Sequence, residues 1–277
     1  MAVERQAPPS RTLAQGPDWA VWEVNCTLGP HDRPFEERHV YTSIAAVLDG
    51  TFRYRSGHGT ALLYPGSFLL GNAGACFECG HEHGTGDRCV SFGFAPSFFE
   101  EIAASAGGTS KLRFQSPMLP ALPAMMRSLV DIEASLIKTD APAMEDFAIR
   151  VAERVVSIVS SFKPHRIAPS PRDQRRISDA VRFIEEHSSE PLDLARLAAV
   201  SHMSKYHFLR TFRRMIGSTP HQYLLDMRVR RSAVRIRTGA EALTRIATDA
   251  GFSDISTFHQ RFRKVLGVTP RMLRAAR

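Results

Sequence analysis

The chain has 277 residues, enough for two domains of ordinary size, and its 43% apolar content supports real hydrophobic cores rather than wholesale disorder. No stretch approaches the roughly 20 apolar residues of a membrane span, and the opening residues lack the apolar run of a secretory signal. A protein of the cytoplasm, without membrane contact, is therefore expected. The net charge of +8 is unevenly placed: residues 172–277 hold 21 Lys and Arg against 10 Asp and Glu, while the first 171 hold 15 against 18. A basic C-terminal half beside a mildly acidic N-terminal half points to a polyanion partner for the former.

Residues 1–20 read as a flexible lead-in. From Trp19 to Phe99 short apolar runs alternate with turn residues: Ser43–Leu48, Thr51–Tyr54, Ala61–Tyr64, Ser67–Leu70 and Cys89–Phe94. Asp49-Gly50 between two such runs predicts a hairpin, and Pro65-Gly66 another turn. Many short, closely spaced strands predict a β-barrel or sandwich. Apolar residues then recur at helical spacing over Ala121–Lys138 and Ala143–Phe162, which predicts two antiparallel helices joined near Thr139–Pro142. Their apolar surplus leaves open whether a partner subunit covers part of it. Lys163–Arg172 carries three prolines and reads as the linker, placed at 163–174.

The remaining residues contain a repeat. Leu194–Ala198, Phe208, Phe212 and Gly217–Pro220 recur as Leu243–Ala247, Phe258, Phe262 and Gly267–Pro270, at an offset of 49 residues early and 50 later. Each copy reads as helix, tight turn, helix. Ser204 and Ser253 are the expected caps of the second helices, Gly217 and Gly267 the stops, and Thr-Pro the start of the next helix. That geometry puts a second helix into the DNA major groove. Its face opposite the phenylalanines is the candidate base reader: Lys205, Tyr206, Leu209 and Arg210 in the first copy, Ile255, Ser256, His259 and Gln260 in the second. Arg213, Arg214, Arg263 and Lys264, with the helix starts at Thr219 and Thr269, are candidate phosphate contacts. Between the copies, Tyr223–Arg237 reads as a long connecting helix dense in arginine.

Residues 175–277 resemble the DNA-binding domain of the AraC/XylS family of bacterial regulators, with helix-turn-helix units at about 192–217 and 241–267. The run from Ile246 to Pro270 sits on the family signature, although Gln260 stands where members often carry arginine. Tyr206 and Arg210 fall on positions that face bases in relatives. The resemblance implies an N-terminal cupin-like sensing barrel with a helical hairpin over residues 21–162, and hence an α+β protein of two domains. It implies double-stranded promoter DNA as a partner, a small-molecule effector of unstated identity, homodimerisation and contact with RNA polymerase.

The N-terminal half also carries Cys76, Cys79, His81, His83 and Cys89 within 14 residues. In an extended segment Cys79, His81 and His83 share one side, and Cys89 folding back would complete a nitrogen and sulfur set suited to Zn²⁺. Cys76 and Cys79 form a CxxC, which leaves thiol redox sensing open as well, beside a plain structural role. His39 and His58 read as isolated surface residues. No catalytic residues are expected, because the His-x-His and Glu set of metal-holding cupin enzymes is missing from Glu37–Gly66. A DNA-repair alkyltransferase is the remote alternative, disfavoured because no active-site cysteine of that type is present.

Overall fold

The computed structural model describes residues 9–32, 34, 36–81, 86–107, 109, 111–136, 141–161 and 170–276, without the side chains of 141–143. The chain divides into two compact units, residues 1–119 with 140–168, and residues 120–139 with 169–277.

The first unit is strand-rich. A sheet of six strands runs in the order β1 (Ser10–Gln15), β2 (Trp19–Cys26), β9 (Asp87–Phe94), β4 (Thr42–Gly50), β7 (Phe68–Gly71), β10 (Met118–Leu119). A second sheet runs β3 (Glu36–Arg38), β8 (Cys76–Gly80), β5 (Phe52–Ser56), β6 (Gly59–Leu63). Every pairing is antiparallel. Strand β4 is buried from Thr42 to Leu48, as its central place between β9 and β7 requires. Tyr54, Tyr64, Phe68, Phe92, Phe94 and Phe114 are fully buried and form the bulk of the core. Helix α1 (Pro96–Ser105) packs against α3 (Ala141–Val159), and α3 also covers β1 and β2.

Several expectations change here. Ser10–Gln15 pairs with Val24–Ala20 of β2, so the expected flexible lead-in contains an edge strand. Asp49-Gly50 does not close a hairpin: β4 pairs with β7 and β9, whereas β5 pairs with β6 and β8. The chain changes sheet at this point, with Gly50 at φ +75° to turn the corner. The two-residue hairpin is instead Gly57-His58, between Ser56 and Gly59.

The second unit is helical: α2 (Pro123–Ser135), α4 (Pro171–Glu186), α5 (Leu194–Val200), α6 (Lys205–Ile216), α7 (Pro220–Thr238), α8 (Leu243–Asp249), α9 (Ile255–Leu266) and α10 (Pro270–Ala275). The two helices expected as one hairpin are divided between the units, α3 belonging to the first and α2 to the second. Helix α2 packs on α7 and α9 and buries Met125, Met126, Leu129, Val130 and Ile132. The α2 share of the apolar surplus is thus buried on elements of its own unit. Of the linker expected at 163–174, Ser170 caps α4 and Pro171 begins it, while 163–169 lie outside the described residues.

Candidate nucleic-acid interface

Helices α5 and α6 form the first helix-turn-helix unit, α8 and α9 the second. In each turn one residue takes a left-handed conformation, His202 at φ +50° in the first and Gly251 at φ +85° in the second. The next amide then bonds back into the first helix, Met203 to the Ala198 carbonyl and Phe252 to the Ala247 carbonyl, both at the 49-residue offset. The cap of α6 is Ser204, as expected, but that of α9 is Asp254, whose carboxylate accepts from the Thr257 amide at 2.7 Å. Ser253, expected as that cap, is therefore the inserted residue that moves the repeat to an offset of 50. The helices end at Gly217 (φ +85°) and Gly267 (φ +73°), in the left-handed conformation glycine adopts without steric cost.

Phe208, Phe212, Phe258 and Phe262 are fully buried. The opposite faces of α6 and α9 are open. Lys205, Tyr206, Arg210, Ser256 and Gln260 are exposed, and Leu209, Ile255 and His259 are half-buried. Tyr206 is 76% exposed, on a surface where the described residues include only Val40 and Met272 as other large exposed hydrophobics. The His259 Nε2 is itself buried and has no hydrogen-bond partner among the described residues.

Among the candidate phosphate contacts, Arg213, Arg263 and Lys264 are exposed near the ends of their helices. Arg214 differs: its guanidinium pairs with Asp173 at 3.4 Å. The Thr219 hydroxyl is engaged in a reciprocal cap, donating to Gln222 Oε1 and accepting from the Gln222 amide, each at 3.2 Å. Thr269 likewise accepts from the Met272 amide. Proline at the first position of both helices removes one further donor, so these starts offer phosphate fewer amides than an uncapped helix.

The arginine run of α7 is turned inward. Arg228 donates to the carbonyls of Ser188 (2.6 Å), Glu190 (2.7 Å) and Gly251 (2.8 Å). Arg230 pairs with Glu133 of α2 and Arg237 with Asp131 of α2. Arg231 pairs with Glu185, and Arg235 with Glu241 and Asp249. Five arginines that counted toward a polyanion-binding surplus thus hold this unit together, while Lys205, Arg210, Arg213, Arg263 and Lys264 stay exposed on α6 and α9. Pattern reading missed this because the partners come from α2, α4, α8 and the segments beside them.

The cysteine and histidine candidates for a metal site all belong to the strand-rich unit. Phe77 and Cys79 pack on the core cluster of Tyr54, Leu63 and Cys89, and Cys76 alternates to the other side of β8. A CxxC disulfide partnership is thus not set up, and all four cysteines are free thiols. Burial pushes the thiols of Cys79 and Cys89 up, away from the reactive thiolate. His83 lies outside the described residues. His39 is buried rather than on the surface: its Nε2 meets the Tyr54 hydroxyl at 2.8 Å and its ring stacks on Phe77. Gly71 makes room for that ring, and burial lowers the His39 pKa to about 4.

Two helix-turn-helix units with apolar inner and basic outer faces define a double helix-turn-helix DNA-binding protein. A family model described as a helix-turn-helix domain matches residues 197–276. The regulatory protein SoxS of Escherichia coli is 33% identical over 97 residues, 35% of this chain and 91% of its own. The probable transcriptional regulator LumQ of Photobacterium leiognathi is 33% identical over 88 residues, 32% of this chain, and the match spans only 36% of LumQ's length. The solved DNA-binding domain of AdpA in complex with a target DNA is 33% identical, with 36% of this chain and 91% of that one covered at a TM-score of 0.35. The chain belongs to the AraC family of transcription regulators.

Proposed function

We propose that this protein is a one-component regulator that binds promoter DNA in a sequence-specific manner through α6 and α9. The observation that carries the reading is the pair of outer helix faces, where Tyr206 and Arg210 stand exposed above buried phenylalanines. Arginine bonds guanine O6 and N7 in a bidentate way, and an exposed tyrosine offers apolar and hydrogen-bonding contact to a base edge. In the second unit Gln260 suits adenine, so the two half-sites differ in base preference.

The strand-rich unit is the sensing half in this proposal, with a cupin-like fold supported by two antiparallel sheets around one aromatic core. A cleft of about 330 Å³ in this unit, lined in part by Thr42, Asn72, Glu100, Lys111 and Arg113, has the size and mixed polarity of a small-molecule site. The test is genome-wide footprinting of the wild type beside Arg210→Ala. Discrete sites that weaken in the variant support the reading. Binding no tighter or more selective than that of an unrelated basic protein at physiological salt defeats it.

A further inference from the structure

The start of β9 lies against the end of β2, in a register that pairs Cys26 with Asp87 and Val24 with Cys89. Pairing partners and alternate residues share a face, so Cys26, Asp87 and Cys89 all point to one side of the sheet. Just beyond β8, His81 comes to the same place, its Nε2 2.8 Å from Asp87 Oδ2, with both side chains about 5% exposed or less. One ligand atom each from Cys26, His81 and Asp87 lie within 4.8 Å of one another. Behind them the Cys89 thiol donates to Asp87 Oδ1 at 3.6 Å, which orients the carboxylate. Gly86, at φ +72°, allows this approach, because a Cβ there would strike the Cys26 carbonyl.

We propose that Cys26, His81 and Asp87 form a binding site for a thiophilic divalent cation of the Zn²⁺ type. One thiolate, one imidazole and one carboxylate make a borderline-soft donor set, unlike the all-oxygen cages of Ca²⁺ and Mg²⁺. Ligand atoms around a tetrahedral zinc stand about 3.3–3.6 Å apart. The cation would therefore part His81 from Asp87 by roughly half an ångström and draw Cys26 inward. Three protein ligands leave a fourth position open, and Cys89 serves as an outer partner of Asp87. Binding displaces the proton of the Cys26 thiol and any proton shared by His81 and Asp87, so the exchange is protons for one cation with no change of oxidation state. The site would join the end of β2, the exit of β8 and the start of β9, segments that are 55 or more residues apart between Cys26 and His81. The expected set of Cys76, Cys79, His81, His83 and Cys89 is thereby replaced: only His81 is kept as a ligand, and Cys26 is recruited from a distant strand.

The test uses the full chain stripped with a chelator and titrated with Zn²⁺ against a chromophoric competitor. One equivalent should bind, Cys26→Ser should weaken it by about 100-fold or more, and Cys76→Ser should leave it unchanged. Because Cys26→Ser could disturb the buried strand end, a second measurement needs no variant. Co²⁺ added to the wild type should give the thiolate-to-cobalt charge-transfer band and the intense visible bands of a tetrahedral site. Substoichiometric zinc, Cys26→Ser binding as tightly as the wild type, or cobalt without the thiolate band would each overturn the proposal.

Discussion

Replacing Arg228 tests whether the arginines of α7 hold the helical unit together. The guanidinium makes three bonds to carbonyls at 2.6–2.8 Å and lies over the Phe252 ring at 6.0 Å. Hydrogen bonds from a charged donor contribute about 1.5–3 kcal/mol each before the cost of desolvating the charge. That cost is real here, since burial lowers the Arg228 pKa. Taking a net of about 1 kcal/mol per bond, Arg228→Ala should lose about 3 kcal/mol, with a few tenths more for the ring contact. Arg228→Lys should lose about 2 kcal/mol, because one ammonium on a straight stem does not reproduce the planar fork. Urea unfolding followed by far-ultraviolet circular dichroism reads the loss, which falls on the helical unit. Both tryptophans, Trp19 and Trp22, lie on β2, so their fluorescence reports the strand-rich unit and should move much less. A loss below about 1 kcal/mol in Arg228→Ala would refute the reasoning, since solvent would then have replaced all three bonds at no net cost.

Other expectations follow from the same contacts. Lys264→Ala should weaken DNA binding nearly uniformly across sequences and lower the salt slope by about one, whereas Arg210→Ala should cost about 1–3 kcal/mol and relax preference at a single position; binding curves at several salt concentrations separate the two. Glu133→Ala removes the carboxylate partner of Arg230, which is 5% exposed, and should destabilise the helical unit by about 2 kcal/mol in the same urea assay, a value kept below that of a fully buried pair because Glu133 is 20% exposed. Gly251→Ala should cost about 1–2 kcal/mol, since φ is +85° and the new Cβ would lie 2.5 Å from the Ser189 carbonyl and 2.9 Å from the Arg228 guanidinium. His39 is held neutral, with a folded pKa of about 4 against an ordinary value of 6.5. The unfolded chain therefore takes up the proton first on acidification: stability of the strand-rich unit is full above pH 6.5 and falls by about 3 kcal/mol on the way to pH 4. His39→Gln should lack that part of the acid limb in tryptophan-monitored unfolding, and identical acid limbs would exclude His39 as its source.

The features legible in the sequence are those fixed by local spacing. Phenylalanines four residues apart declare the buried faces of α6 and α9, and Gly217 and Gly267 declare where these helices stop, because each effect acts within a turn or two of chain. The one-residue insertion was visible in the repeat offset, although assigning it to Ser253 rather than to the cap needed the Asp254 hydrogen bond. Strand positions were also readable from apolar runs, yet the partners of those strands were not. Asp49-Gly50 bears the local signature of a hairpin, and only the pairing of β4 with β9 and of β5 with β8 shows that the chain crosses between sheets there. Helix α2 has an apolar stripe that any surface of suitable shape would satisfy, and the carboxylates of Asp131 and Glu133 meeting Arg237 and Arg230 decide its place.

By itself the sequence determined that the C-terminal residues form two helix-turn-helix units and which helix faces point outward, since period, caps and stops are properties of short segments. Only the tertiary structure decided which arginines remain for DNA, where His39 lies and which cysteine stands beside His81. Charge pairing, burial and ligand geometry depend on residues tens of positions apart, and no local pattern records which of them will meet.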